Sequence, residues 1–203
     1  MRSTIRITKP DGQSTLQLQG IVETLVANGD EQVSAIVMLT RMTGMRLREA
    51  ILADLPRLHR EANHLGCINI QEGAKGGRSG AYAPRWIAAE ASVKKAITFA
   101  LIASPKGSQN LLHPNESYAY FLKRSVRSAR KFLHEQGVKS FHELRAAYAC
   151  DRYEQLTGHA APVHGGECYH VDREMDRMAR EKISRELGHQ CTDVISAYVG
   201  SRS

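Results

Sequence analysis

DEQVSAIVMLTRMTGMRLREAILA, residues 30–53, is the stretch from which the rest of the chain can be read. Val33, Ile36, Val37, Leu39 and Met42 form an apolar stripe at helical spacing, and Asp30 is placed as its N-cap. Thr43-Gly44 interrupts the stripe, and a second short helix is expected from about Arg46 to Ala53. Working back, residues 4–19 alternate around Pro10-Asp11-Gly12, with Ile5 and Ile7 before it and Leu16 and Leu18 after it. That pattern predicts a β-hairpin or an extended arm over residues 1–29. Working forward, residues 55–85 read as strands. Cys67-Ile68-Asn69-Ile70-Gln71 alternates, leads into the glycine-rich turn 73–80, and leaves it through Ala81-Tyr82-Ala83-Pro84 as a short edge strand. Helices are expected at roughly 87–103, 115–136, 140–157, 170–187 and 191–199, with Asn115 and Ser140 as N-caps and Glu143 completing a capping box with Ser140. The fold class is mainly α with a small antiparallel β-sheet (α+β). It divides into the N-terminal arm, 1–29, and one domain, 30–203.

The 203 residues suffice for one sizeable core, and 42% apolar residues is a globular composition. The net charge of +7 and pI of about 9.4 suit a polyanionic partner. Cys67, Cys150, Cys168 and Cys191 are scattered without a C-x-x-C pair, and the N-terminus has no apolar leader segment. The longest apolar stretches are too short to span a bilayer. A reduced, cytoplasmic, DNA-associated protein is expected, with its cysteines mostly serving as small core residues.

Five segments carry candidate chemistry: Thr43-Gly44-Met45-Arg46-Leu47-Arg48-Glu49; Lys75 in its glycine turn; His142-Glu143-Leu144-Arg145; Leu187-Gly188-His189; and Tyr198 within Ile195-Ser196-Ala197-Tyr198-Val199. The last interval is 198 − 189 = 9. In this order the segments resemble the signature of the tyrosine recombinases (phage-type integrases), and the resemblance runs from about residue 30 to 200. It implies a recombinase catalytic domain that cuts and rejoins DNA through a 3′-phosphotyrosyl link, for integration or excision of a mobile element. The chemistry that the resemblance implies is supported by charge. A phosphodiester's transition state spreads negative charge over its non-bridging oxygens, and planar guanidinia clamp such oxygens bidentately. Arg46 and Arg145 are assigned that role, and removing one such preorganised donor commonly costs roughly 3–4 kcal/mol. Tyr198 is the nucleophile. His142, three residues before Arg145, shares its helix face and either accepts the tyrosine proton or bonds a phosphate oxygen. His189 is a further phosphate donor. By resemblance, Lys75 protonates the leaving 5′-oxygen and Glu49 is structural support for Arg46. No cofactor is implied, since the covalent link keeps the phosphodiester energy.

Each piece has a plainer reading. A lone Tyr198 would pack a terminal helix, Arg46 would pair with Glu49, Arg145 would pair at the turn of Asp151, and Lys75 would be a solvated loop residue with Arg78 beside it. The basic run Lys123, Arg124, Arg127, Arg130 and Lys131 is either a solvated face or a phosphate track. Arg78, Lys123, Arg124, Arg127 and Lys131 are the candidate DNA-binding residues. His159, His164, Cys168 and His170 fit no familiar zinc spacing, so no metal is expected.

The chain also departs from the family pattern. About 30 residues precede the first catalytic helix, too few for the helical clamp domain that family members carry; a partner clamp domain outside the chain is therefore expected. The interval from Arg145 to His189 is 189 − 145 = 44 residues, longer than is usual, with the extra residues at about 158–176. The tail after Tyr198 is short. Double-stranded DNA is the expected partner, with a homo-oligomer (tetramer) on DNA and no membrane. The alternatives are a type IB topoisomerase-like or resolvase activity, or a catalytically degenerate DNA-binding regulator.

Overall fold

A computed structural model describes residues 5–73, 84–166, 170–189 and 191–202. Helix α2 (Glu31–Thr43) is the central strut. Val33, Ala35, Ile36, Val37 and Leu39 are all at most 1% exposed, and Ser34, Thr40, Arg41 and Thr43 are buried with them, so the helix is packed on several sides. It meets α1 (Thr15–Ala27), α5 (Ala91–Ala103) and α8 (Phe141–Thr157). Truncating a side chain such as Ile36 to alanine would cost about 2–5 kcal/mol. Around this strut stand α3 (Leu47–Leu52), α4 (Leu55–His64), α6 (Tyr118–Phe121), a π-helical turn (Leu122–Val126), α7 (Arg127–Glu135), α9 (Arg173–Glu186) and α10 (Ser196–Val199). The two strands, β1 (Cys67–Asn69) and β2 (Trp86–Ala88), pair antiparallel with Ile68 opposite Ile87. The fold is mostly helical with a small antiparallel sheet, as the sequence predicts.

Several local expectations give way. The hairpin or extended arm expected over residues 1–29 gives way from Thr15, where α1 begins. Ser14 caps it by accepting from the Gln17 amide, and Leu18, Ile21 and Leu25 form a buried helical face that overrides the short-range alternation. Residues 55–64 are helix, not strand. Asp54 accepts from the Arg57 amide, Pro56 sits in the first turn where its missing N–H costs nothing, and Leu55, Leu58 and Ala62 are buried on one side. The strand facing β1 is Trp86–Ala88 and α5 starts only at Ala91; the edge strand expected at 81–84 lies, apart from Pro84, outside the described residues. The N-cap placed at Asn115 belongs to Ser117, whose hydroxyl accepts from the Tyr120 amide. Ser140 precedes α8 but makes no side-chain cap, and Glu143 is engaged elsewhere.

The apolar interior falls into two clusters. The larger runs through α1 to α7 and reaches Phe141 and Leu144 on α8. The smaller joins Ala146, Tyr148, Ala149 and Tyr153 of α8 to α9, α10 and Ala161. Arg145 lies on α8 between Leu144 and Ala146, so a guanidinium that is only 1% exposed stands at the seam between two apolar bodies. Among the described residues, no helix is long and apolar enough to cross a membrane.

Candidate active site

The seam is built from helix ends. Helix α2 closes on Gly44 (φ +64°), and the turn after α9 closes on Gly188 (φ +66°). Left-handed glycines end helices because they lack the Cβ that this conformation crowds. At Gly44 the space is closed as well, since an added Cβ would lie 2.5 Å from Tyr148 Cδ1. The last carbonyls of a helix have no intrahelical partner and carry the negative end of its dipole. Here they meet arginines. The Gly44 carbonyl accepts from Arg145 and, at 2.9 Å, from Arg85. The Leu187 carbonyl accepts from Arg145 at 2.5 Å, and the Glu186 carbonyl from Arg85 Nε at 2.5 Å. Thr-Gly and Leu-Gly-His thus read physically as two caps that aim their carbonyls at buried cations.

Glu49 organises the other side. Its carboxylate, 1% exposed, accepts from the Arg46 guanidinium at 2.6 Å and the Arg85 guanidinium at 2.5 Å. It also accepts from the Arg46 amide at 2.7 Å, which starts α3. Burial pushes this carboxyl up, but Arg85 and Arg46 outweigh burial and hold it below the usual carboxylate range. A second buried carboxylate, Glu186, accepts from the Tyr148 hydroxyl at 3.0 Å and from Arg152. Arg46 and Arg85 share the carboxylate of Glu49, while Arg145 beside them bonds carbonyls, Tyr198 and His189, which leaves this corner with excess positive charge.

Tyr198 is 4% exposed and points into this corner. Its hydroxyl lies 3.1 Å from His189 Nε2 and 3.4 Å from Arg145 Nε. Arg145 can only donate, and a second of its nitrogens lies 3.3 Å from the same His189 Nε2. That nitrogen must therefore carry the lone pair, which assigns the ring proton to Nδ1. The phenol then donates to His189 while its oxygen accepts from Arg145. Burial first, and then the charges of Arg145, Arg46 and Arg85, pull the His189 pKa down to about 4. The His142 ring packs at 5.2 Å from the Tyr198 ring, and its pKa is lowered by burial and by Arg145. Burial and the neighbouring Arg85 lower Arg145 to about 10, which still leaves it protonated at neutral pH. Four of its five N–H groups are committed to Tyr198, Gly44, Leu187 and His189. Arg46 keeps about a third of its side chain exposed, so it is the guanidinium open to an incoming anion.

Helix α10 is a single turn, too short to hold itself. The buried Arg180 donates to the Ser196 hydroxyl at 3.4 Å and to the Gly200 carbonyl at 3.1 Å, and Cys150 donates to the Tyr198 carbonyl at 3.6 Å. Cys150 is a core thiol, pushed up to about 12 by burial.

Of the candidate residues, the structure brings together Arg46, Glu49, His142, Arg145, His189 and Tyr198. Lys75, Arg78 and Cys168 lie outside the described residues. Lys123, Arg124, Arg127 and Lys131 are exposed along the π turn and α7; Arg124 is partly committed to Glu116 at 3.0 Å. Arg46 does pair with Glu49, whereas Asp151 pairs with Arg41 rather than Arg145. Among the described residues no cluster of three His, Cys, Asp or Glu side chains could hold a metal. Sequence reasoning missed Arg85, Tyr148, Arg152 and Glu186. No spacing rule marks Arg85, because what distinguishes it is burial against two helix ends distant in sequence.

No curated protein and no solved structure matches the chain. Residues 6–151 match the protein family described as Integrase. That span covers most of the chain and includes α2, Arg46, Glu49, His142 and Arg145, and on it the chain belongs to the integrase family.

Proposed function

We propose that the chain is a tyrosine-type site-specific recombinase that cleaves and rejoins DNA through a 3′-phosphotyrosyl intermediate, in integration or excision of a mobile element. The observation that carries the reading is the Tyr198 hydroxyl held between a neutral His189 and the protonated Arg145. A phenol so placed has a proton acceptor on one side and a stabiliser of its developing charge on the other, which is what activates a weak nucleophile. Arg46 is the guanidinium that meets the non-bridging oxygens, and the buried Arg145 adds its charge from behind, through the Tyr198 oxygen. Tyr198 Oη bonds to phosphorus, the bond from phosphorus to the 5′-oxygen breaks, and the phenol's proton passes to His189 Nε2. The leaving oxygen takes up a proton, a role the family resemblance gives to Lys75. His189 is thus read as the proton acceptor, and His142 as the ring that packs the phenol in register.

The reading also covers double-stranded DNA as partner, an oligomer on DNA, and phosphate contacts along Lys123, Arg124, Arg127 and Lys131. DNA-associated cytoplasmic localisation and a division into an N-terminal segment and a catalytic domain from residue 30 are further parts of it. The test uses a pool of duplexes nicked near randomised target sequences. Wild type should trap a covalent adduct on a denaturing gel, and Tyr198→Phe should not. No adduct from any pool would leave only DNA binding. A two-site exchange assay then separates recombinase from topoisomerase-like cleavage.

A further inference from the structure

The tyrosine helix is held from a third direction, by the N-terminal segment. The Arg6 amide donates to the Ser196 carbonyl at 2.9 Å, and Arg6 Nε to the Ala197 carbonyl at 3.4 Å. The rest of the Arg6 guanidinium forks onto Glu143, at 2.6 and 3.0 Å. Arg6 and Glu143 are only 11% and 17% exposed. This is where Glu143 goes instead of capping α8, and its carboxylate also accepts from the Asp11 amide at 3.2 Å. The segment is fastened further along. Asp11 accepts from the Lys139 amide at 3.0 Å, and Arg41 Nε donates to the Gly12 carbonyl at 3.0 Å. Beyond the tyrosine, Gly200 (φ +89°) fits closely, since a Cβ there would lie 2.9 Å from the Val163 amide and 3.4 Å from the Arg6 carbonyl.

Residues 6–13 therefore form a strap from α2 and α8 to α10. Its ionic fastening, Glu143, stands on the same turn of α8 as His142 and Arg145. We propose that Arg6 is a positioning residue: through Glu143 it fixes α10 to the helix that carries Arg145, and so sets the distance from the Tyr198 hydroxyl to Arg145 and His189. This rests on Tyr198 as nucleophile. A single helical turn has almost no stability of its own, so its place is set by the packing of Tyr198 and Val199 and by the groups that bond its carbonyls. A bidentate guanidinium–carboxylate pair gives direction as well as attraction, which lysine cannot reproduce.

The test compares wild type, Arg6→Ala, Arg6→Lys and Glu143→Gln in two measurements. Hydrogen exchange on the free protein should show peptides spanning 193–202 exchanging about tenfold faster in Arg6→Ala, with Arg6→Lys intermediate and peptides from α2 and α5 unchanged. Single-turnover adduct formation at saturating DNA should fall about tenfold in Arg6→Ala and less in Arg6→Lys, with DNA affinity within twofold of wild type. Unchanged exchange at 193–202, exchange that rises equally throughout the chain, or an adduct rate within twofold of wild type each overturns the proposal. Failure of the nucleophile reading looks different: wild type itself forms no adduct, or Tyr198→Phe still does.

Discussion

Glu49→Ala removes the carboxylate shared by Arg46 and Arg85. The two losses are unequal. Arg46 is about a third exposed and can turn to water, so its share is within about 1 kcal/mol, as for surface pairs. Arg85 is 5% exposed, and its remaining bonds go to the carbonyls of Gly44 and Glu186, so it would become a buried cation without its counter-ion. Breaking a buried pair from one side costs about 3–5 kcal/mol. For a chain of 203 residues that corresponds to a fall in Tm of roughly 6–20 °C. Glu49→Gln keeps an oxygen acceptor but not the charge, and should lose about 2 kcal/mol. The pH dependence has a definite sign. The folded carboxyl titrates below its ordinary value of 4.5, so its stabilisation is fully present above that value and is lost as pH falls through the folded pKa. Urea unfolding of wild type and Glu49→Ala at a series of pH values checks both points. The gap should be full at pH 7 and close on acidification. A difference below about 1 kcal/mol at pH 7, or a gap that stays constant down to pH 3, would mean that Glu49 is not the counter-ion of a buried Arg85.

Other outcomes follow from the same geometry. The His189 pKa is depressed from 6.5 to about 4, so its contribution is complete above 6.5 and is lost as pH falls from there toward 4. After discounting for solvent access, wild type should lose about 1–2 kcal/mol over that window relative to His189→Gln, measured by chemical unfolding. The Tyr198–Arg145 contact is within one chain, so mixing Tyr198→Phe with Arg145→Ala should restore no adduct; adduct from the mixture would mean that the tyrosine is delivered from a partner. Lys123→Ala with Arg127→Ala should weaken DNA binding about equally across sequences and reduce the slope of log K against log salt by roughly 0.9 per lost phosphate contact. An unchanged slope would leave that helix a solvated face.

What the sequence discloses here depends on how local each determinant is. The stripe of α2 and the glycine after it are local, and both are where residues 30–53 predict them. Helices α1 and α4 were equally encoded, by Ser14 with Leu18, Ile21 and Leu25 and by Asp54-Leu55-Pro56 with Leu58 and Ala62. The alternation nearby and the β-rich run at Cys67–Gln71 point toward strands, and tertiary burial decides otherwise. Motif order brought Arg46, His142, Arg145, His189 and Tyr198 into one site on paper, and the fold brings the same residues together. It could not reveal Arg85, whose role depends on two helix C-termini 142 residues apart, Gly44 and Glu186, by 186 − 44. Nor could it reveal Arg6, whose pairing with Glu143 spans 137 positions and displaces the capping box that local spacing favours.

If Tyr198 is the nucleophile, it is the residue that becomes joined to DNA. The most direct measurement traps the adduct on a nicked substrate, digests protein and DNA, and locates the nucleotide-bearing residue by peptide mass spectrometry. The geometry predicts a nucleotide phosphate on Tyr198 and on no other tyrosine, and no adduct at all in Tyr198→Phe. A nucleotide found on another residue, or an adduct that persists in Tyr198→Phe, would contradict it.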